Sequence, residues 1–214
     1  MNREEIIYKC EEFVKKYLDD VESGHNWLHI NRVLNNARKI YREELRGDPF
    51  IIDLAAMLHD IGDDKIDRET DGPAIVTEFL GKTGVSNSVT TRVVHIIRHI
   101  SFRDSFSGSA ERTAELDIVQ DADRLDAIGA IGIARAFSYG GSVGSEIYIP
   151  GEAAANLKSK EEYISSRSST INHFYEKLLK LKGMMNTDAG RKMADERHKF
   201  MELFLDQFYR EVSI

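Results

Sequence analysis

The scarcity of proline limits what this chain can fold into. Its 214 residues include three prolines, Pro49, Pro73 and Pro150. Long helices can run between them, because proline is the residue that removes a helical N–H and breaks the hydrogen-bond ladder. Apolar residues also recur three or four positions apart, as at Ile30 and Val33, a spacing that gives a helix one apolar face. We therefore predict an all-α fold.

Capping residues mark the ends of several predicted helices. Asp48 followed by Pro49 is typical of a helix start, with the aspartate as N-cap and the proline in the first turn. The wide apolar face that follows predicts a central, buried helix ending at His59-Asp60. Near the C-terminus, a break at residues 182–186 and Thr187 as N-cap predict a hairpin of two long helices over about residues 159–211.

A glycine-rich stretch separates these regions. Residues 128–137 are expected to extend the helix that carries Asp123, and Ser138–Ser145 is expected to break it. Two interpretations of the break stay open, a mobile flap beside the substrate or a simple linker. The stretch lacks the helix-opening Gly-Lys-Ser/Thr arrangement of a P-loop, so a P-loop nucleotide site is excluded.

The length and net charge of the chain limit its domain organisation and its binding partners. A length of 214 residues suits one domain with its own core, so we expect a single domain over residues 1–214. A net charge of -7 argues against stable nucleic-acid binding, which needs a basic surface. Cys10 has no second cysteine for an internal disulfide, and we find neither an apolar signal segment nor a membrane-spanning run. We therefore expect a cytoplasmic protein that binds no membrane.

Two short motifs carry imidazoles suited to metal binding. His59 and Asp60 are adjacent at the end of an apolar helix, where a ligand pair can be held in a fixed pose. His25 and His29 lie one turn apart, on the same face of a helix that continues through an apolar stripe. Alone, the His59-Asp60 pair could also be an exposed polar helix end, so its partners decide the interpretation.

The third motif places Asp121, Asp123 and Asp126 in a segment otherwise suited to burial. Buried carboxylates must be paired or bound to a metal. Two imidazoles and two carboxylates from three helices suit a borderline or hard divalent ion with open positions for water and substrate. The predicted ligands are His29, His59, Asp60 and Asp123.

Together the motifs resemble the HD superfamily of metal-dependent phosphohydrolases, in which a His, a His-Asp pair and a distant Asp follow in that order. The resemblance covers nearly the whole chain and is most specific at residues 25–33, 58–63 and 121–127. The small stand-alone bacterial members are the most similar. The resemblance implies a single-domain HD-domain helical bundle with a C-terminal helical hairpin, whose metal-binding core covers about residues 20–140.

The resemblance also implies a reaction: hydrolysis of a phosphoester or phosphoanhydride bond in a small phosphorylated substrate, with nucleotides as the favoured class. A divalent ion lowers the pKa of a bound water from ~15.7 toward ~7 and offsets charge on a phosphoryl oxygen. Manganese, nickel, zinc, magnesium, cobalt and iron are the candidates, with one ion or two per chain. Whether the chain forms a homodimer is left open.

The predicted catalytic residues are His25, Asp60 and Asp126. His25 resembles the histidine that, in cyclic-nucleotide phosphodiesterases of this superfamily, precedes the first metal ligand by four residues and protonates the leaving oxygen. We expect Asp126, like Asp121, to act by orienting ligands or substrate.

The predicted substrate-binding residues are Arg32, Lys65, His99 and Arg124. The two arginines and the lysine could stabilise nonbridging phosphoryl oxygens. Alternatives stay open: Lys65 is also explained as an ordinary surface lysine, and Arg124 as the ion-pair partner of Asp121 or Asp126. His99 is a better candidate than His95 for facing the site, although either could instead cap, pair or face solvent.

Two other functional classes fit parts of the pattern. An HD-type di-iron oxygenase would need further histidine ligands, which His95 or His99 supply only in part. A non-catalytic, metal-binding helical adaptor would not need the complete set of four ligands. Metal content separates the classes: two iron ions per chain favour the oxygenase, other divalent ions the hydrolase, and no metal the adaptor.

Overall fold

The computed structural model describes residues 1–19, 26–62, 71–101, 111–155, 162 and 168–212. Within those ranges the regular structure is helical, without a strand, which confirms the predicted all-α fold. In chain order the elements are α1 (Arg3–Tyr17), α2 (Trp27–Glu44), α3 (Pro49–Leu58), α4 (Gly72–Lys82), α5 (Asn87–His99), α6 (Ala114–Asp126), α7 (Gly129–Ser142), α8 (Thr170–Glu176), a 3₁₀ helix (Leu178–Met184) and α9 (Asp188–Val212).

Side-chain caps set where α2 and α3 begin. Asn26 accepts hydrogen bonds from the N–H groups of Leu28 and His29, at 3.1 and 3.3 Å. Asp48 accepts from the N–H of Phe50 at 2.9 Å, and Pro49 occupies the first turn of α3, as predicted. These caps satisfy backbone donors that the first turn of a helix leaves without intrahelical partners.

The chain divides into two compact units, Met1–Asp123 and Arg124–Ile214. In the first unit, α3 packs against α1, α2 and α5, while α4 packs against α5. The prediction of a central helix is confirmed, because nearly all of α3 is buried: Phe50, Ile51, Ile52, Leu54, Ala55, Ala56, Met57 and Leu58. The single domain over residues 1–214 stays a prediction.

The second unit is built around aromatic side chains. Its α9 packs against α7 and the 3₁₀ helix, and α8 packs against the same two elements. The fully buried ring of Phe174 on α8 stacks on Phe204 of α9, with centroids 5.8 Å apart. Phe137 of α7 lies 6.0 Å from Phe174 and 5.8 Å from Phe204, so the three helices meet at one aromatic cluster.

The structure corrects the predicted course of the chain after Asp123. The helix does not continue to residue 137: α6 ends at Asp126, and Gly129 adopts φ +75° at the start of α7. The predicted break at Ser138–Ser145 begins later than expected, because α7 continues through Ser142 and the chain leaves helical geometry at Val143 and Gly144, where Gly144 adopts φ +71°. Gly140 serves close packing instead, since an added Cβ would lie 2.3 Å from the Thr170 hydroxyl oxygen.

The C-terminal hairpin is confirmed only in its second half. Thr187 accepts from the N–H of Gly190 at 2.9 Å, as an N-cap should, and α9 is long. The preceding element is not one long helix in its described part: α8 ends at Glu176, and Lys177 leaves helical geometry at φ -137° and ψ -60° before the 3₁₀ helix. None of the helices described above combines the length and apolar character needed to cross a membrane.

Candidate metal centre

His29 lies in the first turn of α2 and is almost completely buried. Its side chain is 1% exposed. The Asn26 cap bonds the backbone N–H of His29 itself, so the cap fixes the turn that carries this imidazole. The position of His29 is thus defined by local sequence.

His59 is the C-cap residue of α3. Its Nδ1 lies 2.9 Å from the carbonyl oxygen of Ala56, which can only accept a hydrogen bond, so Nδ1 carries the proton. In a neutral imidazole the lone pair then lies on Nε2, the tautomer that metal-binding histidines adopt when Nδ1 donates to a carbonyl.

The four predicted ligands converge on one point of the first unit. The Nε2 atoms of His29 and His59 are 3.3 Å apart, and each lies 3.3 Å from a carboxylate oxygen of Asp60. Asp123 arrives from α6, with Oδ1 3.6 Å from the His29 Nε2 and 3.8 Å from the His59 Nε2. One nitrogen or oxygen atom from each of His29, His59 and Asp123 lies within 4.8 Å of the others.

These separations fit a divalent cation. Two ligands ~2.1 Å from one ion, at an angle of about 90–110°, lie about 3.0–3.4 Å apart. The contacts among His29, His59 and Asp60 fall in that range, with Oδ2 of Asp60 against His29 and Oδ1 against His59, and those of Asp123 are slightly longer. The ligand with the longer contacts is also the more exposed one, since the Asp123 side chain is 33% exposed and that of Asp60 is 6% exposed. The cluster is therefore closed by α2 and α3 and open to solvent beside Asp123.

Two further predicted residues, Arg124 and Asp126, belong to the second unit and are buried there. Arg124 donates to the carbonyl oxygen of Met184 in the 3₁₀ helix. Asp126 accepts a hydrogen bond from the Arg135 guanidinium of α7 at 2.6 Å. Each side chain thus has a protein partner in its own unit, and sequence analysis did not identify the pairing with Arg135.

The remaining predicted residues are placed less completely. Arg32 is half-buried on α2, one turn after His29. His99 is the last residue of α5; its ring centroid lies 4.8 Å from that of His95, whose Nε2 lies 2.9 Å from the carbonyl oxygen of Glu111. His25 and Lys65 lie outside the described residues, so their roles stay predictions.

Asn36 is a buried polar residue near the site that sequence analysis did not single out. It lies two turns after His29 on α2 and donates to the carbonyl oxygen of Ala122, the residue before Asp123, at 3.2 Å. One sequence feature could have identified Asn36: its amide lies within the apolar stripe of α2, and buried amides need hydrogen-bond partners.

The chain is similar in sequence and in structure to known proteins. Residues 27–128, which include all four converging residues, match the HD domain family. YpgQ of Bacillus subtilis is 40% identical over 202 residues, which cover 94% of this chain and 90% of YpgQ. The structure of YpgQ in complex with ADP superimposes with a TM-score of 0.77 at 37% identity, over 97% of this chain and 98% of that one.

Two further solved structures are similar along their whole length. A protein from Lactobacillus plantarum is 37% identical with a TM-score of 0.88, over 98% of both chains. An HD-superfamily hydrolase from Bacillus thuringiensis is 41% identical with a TM-score of 0.77, again over 98% of both chains. The chain therefore belongs to the HD-domain superfamily of hydrolases.

Proposed function

We propose that this chain is a metal-dependent phosphohydrolase that cleaves a phosphoester or phosphoanhydride bond in a small nucleotide. The observation that carries the proposal is the convergence of two imidazoles and two carboxylates from α2, α3 and α6, with one side open to solvent. A buried site with this mixture of nitrogen and oxygen donors suits a divalent ion, and its open side leaves room for a ligand that does not come from the protein.

His29, His59, Asp60 and Asp123 would hold the ion. When bound, a divalent ion lowers the pKa of water at the site and offsets charge on a phosphoryl oxygen. Manganese, nickel, zinc, magnesium, cobalt and iron all accept such donors. The His59 Nδ1 contact with Ala56 prepares the ligand, because it selects the tautomer and fixes the plane of the ring.

The other residues would bind and protonate the substrate. We assign His25 as the general acid that gives a proton to the leaving oxygen, because it directly precedes the Asn26 cap of the helix that presents His29. Arg32, Lys65, His99 and Arg124 would contact the substrate, and Asp126, whose carboxylate is oriented by Arg135, would orient it.

A nucleotide is the favoured substrate class because YpgQ, 37% identical to this chain over nearly its whole length, was crystallised with ADP. The net charge of -7 favours small phosphorylated molecules over nucleic acid, since long phosphate backbones are bound by basic surfaces. The arginines and lysine named above would therefore act on the phosphate groups of one small molecule.

A substrate screen tests the proposal. Nucleoside mono-, di- and triphosphates, cyclic nucleotides and an aryl phosphate are incubated with the purified chain and each divalent metal. Phosphate or pyrophosphate release is expected with at least one nucleotide, and it should disappear on chelation and in His59→Ala. Two iron ions per chain with no phosphate release, or no bound metal at all, would contradict the proposal in favour of an oxygenase or an adaptor.

A further inference from the structure

Three polar contacts join the three helices that carry the proposed metal ligands. Arg38 of α2 forms a two-pronged ion pair with Asp53 of α3, at 3.0 and 2.8 Å. Glu115 of α6 accepts from the backbone N–H of Asp48, the N-cap of α3, at 2.8 Å. Asn36 of α2 donates to the carbonyl oxygen of Ala122 on α6 at 3.2 Å. Each pair of helices thus has at least one directional contact among the residues that the structure describes.

The Asn36 contact differs from the other two in burial and position. Asn36 and Ala122 are 5% and 0% exposed, whereas the Arg38 side chain is 41% exposed. Glu115 acts at the opposite end of α3 from His59, because Asp48 begins that helix. Asn36 instead bonds the peptide next to Asp123, and its own helix carries His29 two turns earlier on the same buried face.

At that position, the hydrogen bond of Asn36 can affect one distance between two ligands of the site. Apolar packing between helices is non-directional, so by itself it permits small sliding of one helix along another. A hydrogen bond to a single carbonyl restricts that sliding, and metal sites tolerate only about ±0.2 Å in their ligand distances. The separation affected is the one between the His29 Nε2 and the Asp123 carboxylate, 3.6 Å.

We propose that Asn36 is a positioning residue of the metal centre, which sets the register of α6 against α2 and so brings Asp123 to His29. This inference rests on the metal site of the proposed function. It adds that an amide outside the ligand set tunes how tightly the ion is held. Partners of this kind, which orient ligands without touching the ion, typically contribute 10–100-fold to metal affinity.

The test compares Asn36→Leu with Arg38→Met. The leucine removes the amide while keeping a side chain that branches at the same carbon, and the methionine removes the half-exposed ion pair while keeping an unbranched side chain. Mn²⁺ affinity is measured by titration calorimetry on the metal-free proteins, the visible spectrum is recorded with Co²⁺ bound, and metal-free melting temperatures report folding. Asn36→Ala takes the place of Asn36→Leu if the leucine variant does not fold.

We expect about 10–100-fold weaker Mn²⁺ binding and an altered Co²⁺ spectrum in the Asn36 variant. Arg38→Met should stay within about threefold of wild type, since ion pairs near the surface contribute little. Equal affinities and spectra for wild type and the folded Asn36 variant would overturn the positioning role alone, as would affinities that follow melting temperature in both variants. A wild-type chain that binds no divalent ion would overturn the metal site and this role together.

Discussion

The metal centre of the first unit and the interior of the second unit bury polar groups in different ways. In the second unit, buried carboxylates meet donors: Asp126 accepts from Arg135 at 2.6 Å, and Glu176 accepts from the Ala155 N–H and the Ser168 hydroxyl at 2.9 and 2.6 Å. In the metal centre of the first unit, the Nε2 of His59 lies 3.3 Å from a carboxylate oxygen of Asp60 and 3.3 Å from the Nε2 of His29.

This difference separates a stabilising interior from a binding site. A buried acceptor that meets a donor is satisfied within the fold. Imidazole nitrogens and carboxylate oxygens that meet at one buried point, by contrast, form a ligand set that a divalent cation can bind. The first unit keeps such a cluster at the ends of well-packed helices, whereas the aromatic cluster of the second unit contributes burial and no ligands.

The largest expected effect comes from removing Asp123. Asp123→Ala removes the carboxylate ligand on the open side of the site, so bound metal and hydrolysis should both be lost almost completely. The far-UV circular dichroism spectrum should stay helical. Metal content is measured by mass spectrometry after purification without chelators. The control is Asp206→Ala, an exposed aspartate on α9, which should keep its metal. Full metal content in the Asp123 variant would remove this residue from the ligand set.

The next largest effect is expected at His25. If it protonates the leaving group without holding the ion, His25→Ala keeps its metal and loses about 10²–10⁴-fold in turnover, the usual contribution of general acid catalysis. The loss should shrink for an aryl phosphate, because a good leaving group needs little protonation.

The matched variant for that test is His29→Ala, which should lose metal and activity together. Loss of metal from the His25 variant, or equal losses for good and poor leaving groups, would reassign His25 to ligation or substrate binding.

Sequence alone predicted the elements whose signals are local. The start of α3 follows from Asp48 and Pro49, which act within one turn, and the proximity of the four proposed ligands was expected from a motif with a fixed order. The break between α6 and α7 was missed because it depends on a distant neighbour. An added Cβ at Gly129 would lie 3.0 Å from the Cβ of Arg197, on α9.

The Asn36 contact was missed for the same physical reason. An asparagine within a helix is usually exposed, and only its partner shows otherwise. That partner, the Ala122 carbonyl, lies 86 residues away in sequence. Local patterns predict which residues can bind a metal, whereas contacts between helices decide how those residues are held.

A substitution in the aromatic cluster of the second unit should lower the stability of the fold and leave the metal content unchanged, the opposite of what we expect in the metal centre. Phe174→Ala removes a fully buried ring that contacts Phe137 and Phe204, and we expect a loss of about 3–5 kcal/mol in the free energy of unfolding. Metal content of the folded fraction should not change. Leu203→Ala, at a side chain that is 64% exposed, should stay within about 0.5 kcal/mol of wild type in denaturant unfolding. If Phe174→Ala loses metal in proportion to its loss of stability, the two units do not differ in the way described above.

The smallest expected effect is a pH dependence within the second unit. Burial of His173 on α8, together with the positive charge of Lys177, lowers the pKa of its imidazole from 6.5 to about 4. Between those values the unfolded chain binds the proton and the folded chain does not, so the contribution of His173 is complete above pH 6.5 and falls as the pH drops toward 4. Because His173 is not completely buried, we expect a loss of about 1–2 kcal/mol in the free energy of unfolding across that window.

Urea unfolding of wild type and His173→Gln at several pH values isolates the effect, since acidic residues titrate in both proteins. The stability of wild type relative to the variant should decrease from pH 7 to pH 4, and a constant difference would show that His173 is as easily protonated in the folded chain as in the unfolded one.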